Sequence, residues 1–410
     1  MKDKFSELEA KAGRETRLAL EEMYSLWGKS TYEWLAGLWE PEIGGFYYSE
    51  SGRDHEGFLP DIESTLQAIG IVRSTGMLDE WGGSFYDAFP AWLREKLVSF
   101  TKSLADPDGY YYHPQWGKDI ITRRRSRDLT WSISMLKSFR EEPPMPTALD
   151  LLASDKKEEV SAAPHLASEE AFAKYLEEMD IYKQSYVSGS TIGSQAEQIK
   201  AAGLDKMLID HYNEKQNPKN GLWADSVTYY SVSGLLKISS SYQRLGYDFP
   251  NLTAAVDSAV ENALCPENPG AATMIFNPWS SIGNLLSIAK EQGREADALA
   301  IRERVYAKAP ELLRITTEKM KLFRKDDGSF SYCTWGAVAK SQDAPVALGI
   351  NEGDVNATML IMNGASDAFF KALEIKPIPV YDGDDYRRFI SLLEKQTPPK
   401  KKPIPESVKK

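Results

Sequence analysis

The chain is poor in the residues that most often carry chemistry. Of its 410 residues, two are cysteine (Cys265 and Cys333) and four are histidine. Two cysteines without metal-like spacing supply no disulfide framework. No H-E-x-x-H run and no pair of histidines four apart occurs, so no metal and no cofactor is expected. An excess of positive charge is missing as well: 49 Lys and Arg against 60 Asp and Glu leave a net charge of −11, which argues against a nucleic-acid partner, since such proteins need a basic surface. It leaves room for one local basic cleft. Long apolar runs are missing too. None approaches the ~18 residues that mark a transmembrane helix, so no membrane partner is expected. The N-terminus, MKDKFSELEAKAGRETRL, is charged and lacks an apolar core. It predicts a cytoplasmic chain, or a secreted or periplasmic one whose leader was trimmed. Strand signals are almost absent.

What is present suffices for a large core, with 42% hydrophobic and 11% aromatic residues. The densest stretch is Gly109 to Leu136, GYYYHPQWGKDIITRRRSRDLTWSISML. A Pro- and Gly-fixed turn opens it, Asp106-Pro107-Asp108-Gly109. Tyr110 to Tyr112, His113 and Trp116 follow, then four arginines within five residues (Arg123, Arg124, Arg125, Arg127) and Asp128 at the start of an amphipathic helix. Aromatic faces stack on sugar rings and guanidinium forks clamp carboxylates, so this composition suits a sugar-like or anionic ligand. The plainer alternative is a loop with core aromatics and a solvated charged face.

The same loop design recurs. Six helices rich in small and apolar residues are predicted to begin near positions 61, 125, 187, 226, 278 and 354. Each follows a loop carrying Gly or Pro with aromatics or Asn, and more amphipathic or charged helices lie between them. A two-helix repeat at uneven spacing of roughly 40–75 residues is what a closed α/α barrel requires. Its inner helices must be apolar on most sides and its outer ones on a single stripe. The reading is an all-α (α/α)6 or (α/α)7 toroid over residues 1–380, with a surface excursion at about 141–166. Residues 381–410 form a C-terminal extension whose Lys- and Pro-rich end is predicted to be disordered. An open helical solenoid ranks second.

The G-F/Y-Y and N-G-L-W turns (Gly45-Phe46-Tyr47, Gly109-Tyr110-Tyr111, Asn220-Gly221-Leu222-Trp223) carry a resemblance over most of residues 15–370, as do the loops Tyr112-His113-Pro114-Gln115-Trp116 and Phe276-Asn277-Pro278-Trp279. The chain resembles the α/α-toroid carbohydrate-active enzymes, polysaccharide lyases and glycoside hydrolases among them. The resemblance is one of architecture and texture, and fold alone does not fix chemistry. Toroids also cyclise terpenes, but the Asp-rich signatures of that chemistry are missing, and Asp384-Asp385 lies outside the repeats.

For a lyase, the resemblance implies that Asn, His or Arg neutralises a uronate and that Tyr or His moves the protons. Candidates at loop–helix junctions are His113, Arg124, Arg127, Tyr229, Tyr230, Asn277 and Tyr332. A tyrosine must be drawn below its usual value near 10 by neighbouring cations. Each also has a structural alternative, such as a core aromatic for Tyr229 or Tyr230 and a helix cap for Asn277. A hydrolase needs two facing carboxyl groups, from Asp61 with Glu63, Asp128, and Glu352 with Asp354. Helix capping also explains Asp61 and Asp354. Substrate contacts are expected from Tyr47, Tyr112, Trp116, Trp223, Trp279, Tyr332, Asp61, Asp128, Asp354 and Asn356. The expected partner is an oligo- or polysaccharide; the oligomeric state stays open. Elimination of a uronic-acid glycan is preferred to hydrolysis because Arg123 to Arg127 concentrate positive charge in an acidic chain. A non-catalytic glycan binder is the third reading.

Overall fold

The computed structural model describes residues 4–154 and 163–406, with residues 363–367 described by their backbone alone. The chain is all-α. Six helices organise it: α1 (Ile62–Ser74), α2 (Thr122–Ser138), α3 (Ser185–Gly193), α4 (Tyr229–Leu245), α5 (Thr273–Glu291) and α6 (Val355–Leu373). Each packs against the next, and α6 packs against α1. The remaining helices lie outside this set. Leu252–Leu264 covers α5, Glu295–Ala307 covers α6, and Ala91–Ser103 packs on α2. The only strands among the described residues form two antiparallel pairs, Trp39–Glu40 with Gly45–Phe46 and Lys340–Ser341 with Ala344–Pro345.

Local chemistry sets where three of the six helices, α1, α4 and α6, start. Asp61 caps α1 by accepting from the Ser64 N–H, and Asp354 caps α6 by accepting from Ala357 N–H. Thr228 and Ser231 form a reciprocal capping box at α4, which ends at Gly246 in the left-handed region. Small residues then let neighbours approach closely. A Cβ added to Gly234 of α4 would stand 2.6 Å from the Ser185 Cβ of α3, and one on Gly70 of α1 would stand 3.4 Å from Met359 Sδ of α6. This is why the six helices are so rich in Gly, Ala and Ser.

The loops before α1, α2, α4 and α6 share one device. Gly44, Gly109, Gly221 and Gly328 all have positive φ, and each presses on an outer helix. At Gly109 a Cβ would lie 2.5 Å from Ala148 N, and at Gly221 the same distance from Ala255 N. Before α1 and α6 the turn is then pinned to the new helix by a threonine. The Phe46 N–H donates to Thr65 Oγ1 and the Phe330 N–H to Thr358 Oγ1, both at 3.0 Å. The Asp-x-x-x-Thr spacing thus occurs twice, at Asp61–Thr65 and Asp354–Thr358.

The two ends of the chain meet. Helix Arg14–Tyr24 packs on Ala309–Lys321, and Lys29–Gly37 packs on Gly383–Leu393. Thr31 Oγ1 donates to the carbonyl of Gly328 at 2.8 Å.

Several expectations change. The helix expected to open at Pro278 starts five residues earlier, at Thr273, and Pro278 sits inside it. Asn277 is therefore no cap. The charged helix foreseen between Arg294 and Lys319 is two, Glu295–Ala307 and Ala309–Lys321. The excursion at 141–166 contains helix Ala148–Leu152, whose first residue supports the Gly109 turn; its residues 155–162 lie outside the described ones. The extension is not wholly loose, since Gly383–Leu393 is a capped helix. Farther on, Lys402 exchanges backbone hydrogen bonds with Asp54 and Glu56, and Lys401 Nζ donates to three carbonyls, those of Gly52, His55 and Phe58. Residues 407–410 are outside the described part.

Candidate functional site

Arg124 and Arg127, three apart on one face of α2, both reach Glu63 but differ in burial. Arg124 has no exposed surface. Its Nε donates to Asp128 Oδ1 at 2.9 Å and its Nη2 to Asp61 Oδ1 at 2.7 Å, while Nη1 stands 3.3 Å from Glu63 Oε2. The guanidinium also lies 4.8 Å from the Trp116 ring centroid. Three carboxylates and an indole enclose it, so Arg124 joins α1 to α2 and offers nothing to a ligand. Arg127, one turn on, keeps 20% of its side chain exposed. It grips Glu63 with two hydrogen bonds, Nε to Oε2 at 3.1 Å and Nη2 to Oε1.

Around Arg124 and Arg127, three carboxylates face two guanidiniums. Burial works against the charge of Glu63, but Arg127 and Arg124 outweigh it and hold this carboxyl below its ordinary range. Asp128 goes the other way: burial, opposed by Arg124 and reinforced by Asp61 and Glu63, pushes it up to about 7. Protonating Asp128 is the cheapest way to remove the surplus negative charge.

His113 has both ring nitrogens engaged. Nε2 is 2.9 Å from the Pro60 carbonyl, Nδ1 accepts from the Gln115 N–H at 3.2 Å, and the ring stacks on Trp116 at 3.9 Å. Burial lowers its pKa, so it is a neutral structural link. Trp223 and Trp279 are enclosed, with their indole N–H groups donating to Tyr212 O and Thr316 Oγ1. Tyr47 is buried against Glu40, to which its hydroxyl donates. None of these three presents a face for stacking, because each seals a contact between elements. Tyr112 is half-buried, with its hydroxyl on Asp108. Asn277 is buried and donates to Ser233 Oγ at 2.7 Å, tying α5 to α4.

Glu352 sits in a small cradle. It accepts from Ser49 Oγ at 2.8 Å, from Ser51 N–H at 2.8 Å and from Ser51 Oγ, and burial raises its pKa against these bonds. Asp354, fully buried, accepts from the Ala357 and Tyr332 N–H groups, and burial pushes it up to about 7.

A second grouping is more open. Tyr229 spends its hydroxyl on the Glu267 carbonyl at 2.7 Å, whereas Tyr230 is 42% exposed and meets Tyr186 edge-on at 5.9 Å. Tyr186 in turn interacts with half-buried Tyr332. Below it, Lys237 Nζ lies 5.8 Å from the Tyr186 ring centroid. Lys237 is repelled by Arg127, Arg244 and Arg123 and attracted by Glu63. Beside Glu63, Gln67 Nε2 donates to Asn356 Oδ1 at 3.1 Å. Four of the sequence candidates (Arg127, Tyr230, Tyr332 and Asn356) thus belong to one neighbourhood with Glu63. Lys237 and Tyr186 are additions. The signal for Lys237 was legible: it is the one charged residue between Tyr229 and Gln243.

A cavity of about 580 Å³ lies elsewhere, past the C-terminal end of α1, lined by Tyr24, Arg73, Asp79, Phe276, Phe370 and Pro377 among others. No residue chosen from the sequence lines it. Among the described residues, no cluster of His, Cys, Asp or Glu could hold a metal ion, and no helix is long and apolar enough to cross a membrane. No family model, curated protein or solved structure matches the chain.

Proposed function

We propose that the cycle of contacts from α1 to α6 is an (α/α)6 toroid, and that the chain is a carbohydrate-active enzyme cleaving a uronic-acid glycan by β-elimination. One observation carries the reading. In a chain of net charge −11, Arg123, Arg127 and Arg244 act together on Lys237, whose Nζ lies 5.8 Å from the Tyr186 ring, and Tyr186 meets Tyr230 and interacts with Tyr332. A local reversal of sign of this kind attracts an anionic group that the rest of the surface repels.

In this reading Arg127 neutralises the uronate carboxylate, which acidifies the neighbouring C–H. A tyrosine then takes the proton and returns one to the leaving oxygen. Tyr230 suits that role better than Tyr229, whose hydroxyl is already committed to a carbonyl. Asn356, reached by Gln67, orients the sugar. Arg124, His113 and Asn277 serve as support. Hydrolysis is the second reading, favoured by Glu352 and Asp354, two nearby carboxyls whose pKa values burial raises.

The test is ultraviolet absorbance during digestion of alginate, glucuronan and glycosaminoglycans, because elimination leaves a conjugated, absorbing uronate. The expected result is growth of that band, reduced at least about a hundredfold in kcat/KM by Arg127→Ala and strongly by Tyr230→Phe. New reducing ends without the band, lost in Glu352→Gln, would move the assignment to hydrolysis.

A further inference from the structure

The C-terminal extension returns to the rest of the fold at one lysine. Past Gln396 the tail carries Pro398, Pro399, Pro403 and Pro405 around Lys400, Lys401 and Lys402. Proline has no N–H, so such a segment stays extended and offers few backbone donors. Among the described residues, two neighbours make all the hydrogen bonds of 397–406. Lys402 donates its N–H to Asp54 O at 2.7 Å and accepts from the Glu56 N–H at 2.9 Å, in a single parallel bridge to His55. The others belong to the Lys401 ammonium.

Lys401 Nζ stands 2.6 Å from Phe58 O, 3.2 Å from His55 O and 3.3 Å from Gly52 O, and 4.5 Å from the centre of the Tyr47 ring. An ammonium carries three N–H donors; here there is one carbonyl for each, and an aromatic face closes the cage. Lys400 and Lys402, by contrast, are exposed. Ile404 adds one apolar contact, since a Cβ on Gly57 would stand 3.7 Å from its Cδ1. All three carbonyls lie in the stretch that leads into α1. The same stretch holds Glu352 through Ser51, whose N–H and Oγ both donate to that carboxylate, and Ser51 O is 3.0 Å from His55 Nδ1.

We propose that this cage is a lysine-binding site whose ligand is the chain's own tail, so that the extension is a strap released as a unit when Lys401 leaves the cage. One bridge at Lys402 and one contact at Ile404 do not hold an extended segment by themselves, and a region with so few buried contacts opens locally. Release frees the loop on the Ser51 side of the Glu352 cradle. It leaves the six helices in place, since none of the bonds to the tail comes from α1 to α6. The strap stands apart from the elimination reading, since it requires neither a glycan nor Tyr230.

Hydrogen exchange on the full chain tests it, read at single amides by mass spectrometry. Lys401→Met keeps the apolar stem and removes the charge with its three donors. In that variant the Glu56 and Lys402 amides are expected to exchange at least about tenfold faster than in the parent, while the amides of α4 and α5 keep their parent rates. Lys400→Met removes the same charge one residue away and is expected to leave both amides protected. Unchanged exchange in Lys401→Met overturns the proposal, because the tail is then held without the cage. So does an equal loss in Lys400→Met, which makes the tail's charge the anchor, and so does a parent whose two amides are unprotected from the start. Faster exchange in α4 and α5 of Lys401→Met also overturns it, since Lys401 then supports the whole fold. None of these results depends on whether any polysaccharide is cleaved.

Discussion

Asp128 is the residue on which pH should act most directly. An unfolded aspartate titrates near 3.9, whereas burial holds Asp128 at about 7 in the folded chain. Between those values the folded state binds the extra proton. This contribution to stability is therefore complete below about pH 4 and is lost as pH rises toward 7. Asp354 behaves the same way. Glu63 opposes both, but only below the ordinary glutamate range, where its ion pairs with Arg127 and Arg124 are protonated away. The melting temperature should fall between pH 5 and pH 8, by a few kcal/mol of stability in all. Asp128→Asn keeps an oxygen for Arg124 and cannot ionise, so its melting temperature should depend less on pH. An unchanged slope would mean that Asp128 is charged in the folded protein. Arg124→Met, by contrast, strands carboxylates in the core and should cost about 3–5 kcal/mol in a urea melt.

Among elements, the turns before α1, α2, α4 and α6 matter more than their length suggests. Gly109 has φ +86 and no room for a Cβ, which would meet the backbone of Ala148 at 2.5 Å. Gly246, at the end of α4, has φ +80 and open space around it. Gly246→Ala should therefore cost only the left-handed strain, about 1–2 kcal/mol. Gly109→Ala adds a backbone clash and should cost clearly more, moving helix Ala148–Leu152 away from the turn. Chemical denaturation of the two variants side by side measures the difference. Equal losses would show that the turn does not bear on the outer helix.

At the scale of the whole molecule, the N-terminal helices join the two ends of the chain. Leu20 and Met23 of helix Arg14–Tyr24 are buried, and the helix packs on Ala309–Lys321. Burying two such side chains contributes roughly 1.5–3 kcal/mol each, a large part of a marginal total. Removing residues 1–25 should abolish a single cooperative thermal transition. A truncated chain that melts as the parent does would show that the chain ends need not meet for the fold to hold.

Composition and periodicity determined the all-α class and the positions of most of the helices α1 to α6, since capping residues and apolar spacing are local. Asp61 and Asp354 announced α1 and α6, and the Leu252–Leu264 helix stands where its spacing places it. Pro278 misled because proline usually opens a helix, and nothing local shows that Thr273 has already begun one. The candidate site was legible by residue type but not by role. Arg124 and Arg127 are three apart in one basic run, yet one turns into three carboxylates and the other remains partly open. Trp223 and Trp279 look like stacking platforms in sequence and are sealed between elements in the fold. Lys237 stands out in sequence as the one charge between Tyr229 and Gln243, but its surroundings, Arg123 and Arg127 of α2 and a Glu63 already held by Arg127, come from elsewhere in the chain. Burial and the sign of neighbouring charge depend on residues far apart in the chain, so the tertiary structure alone decided them.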